Sequence, residues 1–325
     1  MDMKTWAWQG APEPTDLKLI KKQLPSPKGE DVLIANKAVA LNPVDWKALV
    51  WKALGWQPGH VPGVDGAGVA VACGPDARVP IGTRVAYHQD LQRDGSFATH
   101  TLVAAKALHP VPEEVSFLDT ATVPCPGLTA WHAVNKIPVA DGADLLIIGG
   151  GAAVGTFLVQ LALKRGYRVW TTASPKHHAA LFQSGVAGVF DYRTPAWQDE
   201  LLKALKGERL YAAIDTVNEA HARSLAPLIG YNGHLVCIQD RLNTPAAPAF
   251  STVISQHEVA LGAIYRHGAG RDWEELHKAS AELLRGIASG TMKAPAVSTI
   301  RFDELPHALA TLKSGGQSGK LIAEL

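Results

Sequence analysis

Four apolar residues in a row, Leu145-Leu146-Ile147-Ile148, run into the small-residue segment Gly149-Gly150-Gly151-Ala152-Ala153. Beyond it Val154, Phe157, Leu158 and Leu161 recur at i, i+3, i+4 and i+7, which makes one apolar helical face. The pattern predicts a buried strand, a tight loop and a helix in direct succession. Further apolar runs occur at intervals of roughly twenty residues, the spacing that βα units of a parallel sheet require. They are Val169-Trp170-Thr171, Val189-Phe190, Ala212-Ala213-Ile214, Leu235-Val236-Cys237-Ile238 and Leu261-Gly262-Ala263-Ile264. A doubly wound α/β domain over residues 126–264 is the expectation.

Residues 32–108 have a different texture. Short apolar stretches are broken by Gly55, Pro58, Gly59, Pro62, Gly63, Gly66, Gly68, Gly74, Pro75, Pro80 and Gly82, which predicts a β-rich, partly closed barrel. The C-terminal part begins as a helix, with Leu276, Leu283, Leu284 and Ile287 on one face. It ends in Lys320-Leu321-Ile322-Ala323, a strand expected to return to the first domain. The boundaries expected are 1–125 with 265–325 for the barrel domain and 126–264 for the parallel-sheet domain.

A chain of 325 residues is long enough for two domains with their own cores. Its 31 basic and 30 acidic residues give a net charge of +1, so no basic footprint for nucleic acid is present. The N-terminal residues lack an apolar signal-type region, and no run approaches a membrane span. Cys73, Cys125 and Cys237 lie far apart and make neither a disulfide framework nor a CxxC pair, so a reducing cytoplasm is the expected location.

The strand–loop–helix unit points to a ligand. A helix N-terminus presents free N–H groups and a positive dipole end to a pyrophosphate, and glycines let the phosphates approach the backbone. Counted from Gly150 the loop reads Gly-x-Ala-x-x-Gly, ending at Gly155, with Ala152 where a middle glycine usually stands. Gly150, Ala152, Ala153, Val154 and Gly155 are therefore candidate dinucleotide contacts.

Several segments occur in a telling order: Ala40-Leu41-Asn42-Pro43-Val44-Asp45-Trp46-Lys47, Pro62-Gly63-Val64-Asp65-Gly66-Ala67-Gly68 and Gly82-Thr83-Arg84-Val85. Next come Gly95-Ser96-Phe97-Ala98, Gly127-Leu128-Thr129-Ala130-Trp131, the glycine loop, and Gly319-Lys320-Leu321-Ile322. In this combination, which spans nearly the whole chain, the sequence resembles the medium-chain dehydrogenase/reductase superfamily, and within it the zinc-independent quinone oxidoreductase-like branch. The resemblance implies a GroES-like β-barrel domain plus a Rossmann doubly wound parallel-sheet domain, and a homodimer through the Rossmann part.

The resemblance also raises the question of metal. Zinc-using members hold the ion with residues from three loops, and the matching positions here are Asn42, Val64 and Cys125. One thiolate cannot replace three protein ligands, so no metal is expected. His177 and His178 are adjacent and read as surface histidines. Cys125 has two open readings, a small buried residue at a domain junction or a reactive thiol.

NAD-using relatives carry a carboxylate at the end of the second strand of the dinucleotide unit. By register that position resembles Thr172, and no acid occurs between Gly155 and Phe190. Ser174 and Lys176 would instead meet a 2′-phosphate, with Tyr192 a contact suggested by the family, so NADP(H) is the expected cofactor. Thr129 resembles a family threonine near the cofactor phosphates. Asn218 and Gln239 come directly after predicted strands, at the edge where α/β sheets bind ligands. Lys320 resembles a recurrent family lysine near the cofactor.

On the substrate side, Asn42 is read either as an amide donor or as an Asx-turn before Pro43. Trp46, Trp51 and Trp56 form an aromatic cluster, of which Trp46 lies in the family's active-site segment and is the residue expected to stack on a planar acceptor. His88, after Arg84-Val85-Ala86-Tyr87, is either a proton donor or an incidental strand-end residue. The expected activity is reduction of quinones or α,β-unsaturated carbonyls, small-molecule substrates, with NADPH and without a metal. Two alternatives stay open: a zinc-free carbonyl reductase or alcohol dehydrogenase, and a non-catalytic NADPH-binding sensor.

Overall fold

The computed structural model describes residues 2–315 and 319–325. The chain divides into two compact units, Met1–Leu128 with Gly262–Leu325, and Thr129–Leu261. Among the described residues no helix is long and apolar enough to cross a membrane.

In the first unit a hairpin of β1 (Asp2–Ala7) and β2 (Lys18–Gln23) precedes β3 (Asp31–Ala40), β4 (Asp65–Cys73), β5 (Arg84–His88), β6 (His100–Ala104) and β7 (Leu108–Pro110). The second unit contributes β8 (Asp144–Ile147), β9 (Arg168–Thr172), β10 (Gly188–Phe190), β11 (Leu210–Asp215), β12 (Ile229–Cys237) and β13 (Ser255–Glu258). The chain then returns to the first unit with β14 (Val297–Arg301) and β15 (Lys320–Glu324).

The first unit is built on a mixed sheet in the order β14-β15-β3-β4-β5-β7, with β6 also paired to β3. The final strand does return to this domain: β15 runs antiparallel to β3, with Ile322 opposite Ala40. Its core combines Val39, Leu41, Val61, Phe97, Leu305 and Leu309, all buried. Register fixes one end of the sheet. Asp65 opens β4 opposite both Ala40, the last residue of β3, and His88, the last residue of β5.

The second unit is a six-stranded, all-parallel sheet in the order β10-β9-β8-β11-β12-β13. This is the doubly wound arrangement, with the order reversing at β8. Leu145, Leu146 and Ile147 of β8 are all buried, as a central strand covered on both faces requires. Leu146, Trp170, Leu201, Leu210, Leu225 and Leu235 belong to the core that covers one side.

One predicted strand is absent. Leu261–Ala263 is a 3-10 turn and Ile264–His267 a short helix, while the sixth strand is the preceding Ser255–Glu258. A four-residue apolar run does not distinguish strand from helix by period. Here Tyr265 anchors the segment to the first unit by donating its hydroxyl proton to the His88 carbonyl.

The loop after β8 shows why its glycines are needed. Gly149 has φ +78°, the left-handed region that a side chain disfavours. A Cβ on Gly155 would lie 2.0 Å from the Gly149 carbonyl oxygen, closer than any real contact. We predict that Gly155→Ala destabilises the parallel-sheet unit by about 1–3 kcal/mol, the usual cost of overpacking, with a lower Tm as the readout.

Candidate functional site

The end of the mixed sheet gathers a buried polar cluster around Asp65. Asn42 lies between β3 and the helix Pro43–Ala48. Its N–H donates to the Asp45 carboxylate at 2.7 Å, and the Val64 N–H donates to the other oxygen of the same carboxylate at 3.0 Å. Asn42 Nδ2 donates to Asp65 Oδ2 at 2.9 Å, and its Oδ1 accepts from Lys320 Nζ. Lys320 opens β15, and its Nζ lies 3.7 Å from Asp65 Oδ2. Cys125, in the π-turn Val123–Gly127, donates its N–H to both Asp65 oxygens, at 3.0 and 3.1 Å. His88 Nδ1 stands 2.9 Å from Asp65 Oδ1.

Almost none of this cluster meets solvent. Asn42, Asp45, Asp65 and Lys320 are buried, and His88 retains 9% of its surface. Charge balance inside it has a visible consequence. Two carboxylates share one ammonium, and burial above all pushes the Asp45 carboxyl up to about 7, with the Asp65 charge adding to the rise. Lys320 and the two backbone N–H donors pull the other way.

Several expected roles change here. Asn42 is not a free amide donor for a substrate, because both ends of its side chain are committed inside the cluster. Lys320 was expected at the cofactor, yet its ammonium is buried between Asn42 and Asp65. Trp46 is half-buried against the first unit's core, with Lys47 Nζ 5.7 Å from its ring centroid and a buried Nε1 that has no partner. Trp56 packs on the same core and stacks on His60 at 4.0 Å, whereas Trp51 is exposed. Only Cys125 was counted as a metal donor in the sequence, but Asp65 and His88 join it with ligand atoms within 4.8 Å of one another.

This trio does not fit a divalent cation. Asp65 already accepts from Asn42, from the Cys125 N–H on both oxygens and from the imidazole, which accounts for its lone pairs. The Lys320 ammonium also lies beside it, and a second buried cation would be repelled.

In the second unit the glycine loop is held from beneath. Thr172 Oγ1 accepts from the Gly149 N–H at 3.1 Å, and Thr171 Oγ1 accepts from the Gly150 N–H at 3.1 Å. Thr172 is buried, so it braces the loop rather than offering its hydroxyl to a ribose. Thr171 of β9, which also donates to the Ile147 carbonyl, is a second brace of the loop that the sequence did not single out. Ala152 is the N-cap of the helix Ala153–Lys164 and supplies no side-chain cap, which leaves the first-turn N–H groups of Ala153, Val154 and Gly155 to a ligand. The residues fit a dinucleotide pyrophosphate on that ground.

Ser174, exposed Lys176 and exposed Tyr192 lie on the turns after β9 and β10. His177 is more than a surface histidine. A Cβ on Gly151 would stand 2.5 Å from its ring, so the imidazole packs against the glycine loop. Thr129 is buried in the helix Leu128–Asn135. Asn218 is an N-cap whose Oδ1 accepts from the His221 N–H at 2.9 Å. Beside it the buried Asp215 carboxylate, at the end of β11, accepts from the N–H groups of Val217 and Asn218 and contacts His221 Nδ1. Gln239 lies just beyond β12 and is half-buried.

The Alcohol dehydrogenase GroES-like domain model matches residues 28–113, and the Zinc-binding dehydrogenase model matches residues 184–322. Trans-enoyl reductase thnE of Trichoderma harzianum is 31% identical over 291 residues, 79% of this chain and 78% of that relative. Trans-enoyl reductase gkaC of Penicillium citrinum is 32% identical over 237 residues, 66% of this chain. That match spans 64% of gkaC, under two thirds of its length. The quinone oxidoreductase from Coxiella burnetii superposes with a TM-score of 0.85 over 100% of both chains, at 23% identity.

A GroES-like unit joined to a Rossmann unit defines the class, a two-domain dehydrogenase/reductase. The chain belongs to the medium-chain dehydrogenase/reductase superfamily.

The raised Asp45 carboxyl makes stability depend on pH. A folded-state value above the unfolded one means that the folded protein holds the extra proton, so this contribution is full below about pH 4 and lost as pH rises through about 7. We predict that unfolding free energy falls between about pH 5 and about pH 7.5. Asp45→Asn should flatten that fall by about 2–3 kcal/mol, at 1.4 kcal/mol per pH unit over roughly two units, as read by denaturant titration.

Proposed function

We propose that this protein is an NADPH-dependent reductase of quinones or α,β-unsaturated carbonyls that works without a catalytic metal. Membership of the superfamily makes it an oxidoreductase that uses a nicotinamide cofactor. The observation that carries the metal-free reading is the Lys320 ammonium, buried against Asn42 and Asp65 where a metal would have to compete with it. Relatives described as trans-enoyl reductases and a structural neighbour described as a quinone oxidoreductase support the conjugated-acceptor reading.

When bound, reduced nicotinamide supplies a hydride to an electrophilic carbon. Without a Lewis acid, the developing oxygen charge must be met by hydrogen bonds or spread by conjugation. Quinones and enones suit that limit.

The turn after β9 favours the phosphorylated cofactor. That strand ends in buried Thr172, and the turn carries no carboxylate but offers Ser174 and the exposed Lys176 ammonium. A missing carboxylate removes a repulsion against a 2′-phosphate, and the ammonium adds an attraction. A homodimer through the Rossmann unit and a cytoplasmic location belong to the same proposal. None of the three cysteines is in a disulfide among the described residues, and β13 is an edge strand of the parallel sheet.

Chelator-treated protein, given NADPH and matched quinones, enones and saturated ketones, tests the activity. Turnover confined to the conjugated acceptors is expected, while comparable turnover of the saturated ketones would sink the reading in favour of a carbonyl reductase. Tight NADPH binding with no turnover of any acceptor would instead favour a sensor. For the cofactor, Ser174→Ala with Lys176→Ala should weaken NADPH binding at least about tenfold and leave NADH nearly unchanged. Equal losses for the two cofactors would remove the 2′-phosphate argument.

A further inference from the structure

We propose that His88 is the proton donor of the reaction and delivers its proton from Nε2 to the α-carbon of an enone. The inference rests on the reductase reading above and names the group that completes it.

The geometry sets the imidazole up for this. Every other contact of the Asp65 carboxylate comes from a donor: Asn42 Nδ2, the Cys125 N–H and the neighbouring Lys320 ammonium. The carboxylate therefore acts as an acceptor, and His88 Nδ1 is the protonated nitrogen of that 2.9 Å pair. With Nδ1 fixed as a donor, Nε2 is the nitrogen that gains and loses a proton. Among the described residues Nε2 has no hydrogen-bond partner, and it is not one of the buried unpaired polar atoms. The backbone is pinned as well, since Tyr265 donates to the His88 carbonyl and cross-strand register holds His88 opposite Asp65. The ring is thus oriented through Nδ1 and its backbone, with Nε2 uncommitted.

The chemistry balances simply. Once hydride has reached the β-carbon of an enone, the former C=C pair resides on the α-carbon and carbonyl oxygen as an enolate. The Nε2–H bond breaks, a Cα–H bond forms, and the imidazole is left neutral with its Nδ1–H still on Asp65. Solvent then restores the Nε2 proton. A quinone reduced by hydride yields an aryloxide that picks up its proton from water, so the donor matters far less there. General acids of this kind contribute about 10²–10⁴ in rate.

The test uses the full-length enzyme with NADPH, an α-methyl enone and a quinone. The variant His88→Gln is compared with the wild type after its Tm and NADPH affinity are shown to match. We expect enone kcat to fall at least about 100-fold and quinone kcat to change less than about threefold. The residual enone product should lose its single configuration at Cα, because water protonates either face. His88→Ala should regain enone turnover when imidazole is added, which decides the matter should the glutamine variant fold poorly. Retained enone rate with a single configuration, equal losses on both acceptors, or no imidazole rescue would overturn the assignment. Wild-type turnover of quinones but no enone would overturn it while leaving the reductase reading intact. No wild-type turnover of either acceptor would remove both.

Discussion

The buried carboxylate of Asp65 is the constraint around which the first unit is arranged. A charge taken out of water costs several kcal/mol unless hydrogen bonds and a counter-charge replace its hydration. Here Asn42, Cys125, His88 and Lys320 come from four separate segments to supply that replacement. Strand register is what makes their meeting possible. Asp65 is paired across to the ends of β3 and β5, and the pairing of β15 with β3 brings Lys320 to Asn42. A one-residue slip in any of these pairs would turn a charged group toward the apolar core. The electrostatics and the sheet therefore enforce one another.

The second unit obeys a different constraint, the close approach of backbone to backbone. Gly155 lies so near the Gly149 carbonyl that no side chain fits, and Thr171 and Thr172 bond the loop from the neighbouring strand. The loop is thereby held in place by the adjacent strand. A preorganised set of N–H groups at the start of the helix loses little entropy on binding a pyrophosphate. Ala152 departs from the usual glycine pattern at an exposed position.

This contrast explains what could be read in the sequence. The Rossmann unit was legible because its signals are local: an apolar strand, a glycine loop and a helical period lie within twenty residues of one another. The barrel unit announced itself through turn residues and the motifs it shares with its superfamily. The Asp65 cluster was not legible residue by residue, because its members are separated by up to 278 positions and only register joins them. Asn42 reads from sequence as an amide donor or an Asx-turn and Lys320 resembles a cofactor lysine, whereas the fold turns both inward on a buried acid. His88 reads from sequence as either a proton donor or a strand-end residue, since nothing in Arg84-Val85-Ala86-Tyr87-His88 reveals the carboxylate opposite. The misplaced strand at Leu261 has the same origin. A short apolar run takes its conformation from tertiary contacts, here the hydrogen bond of Tyr265 to the His88 carbonyl.

Placing a fixed ammonium beside Asp65 limits what the proposed chemistry can do. A metal polarises a carbonyl directly and stabilises full negative charge on one oxygen. The Lys320 ammonium is buried and points at Asn42 and Asp65, so its charge serves the cluster instead of a substrate oxygen. An acceptor reduced by such an enzyme has to carry much of its own charge, and conjugation provides that. The cluster's contribution is then to hold an imidazole in one orientation and one tautomer. An oriented donor helps an acceptor whose final protonation is at carbon more than one protonated at oxygen, because carbon protonation is the slower process in water. The same buried ion pair that disfavours a metal therefore shifts the expected preference from isolated ketones toward conjugated carbonyls.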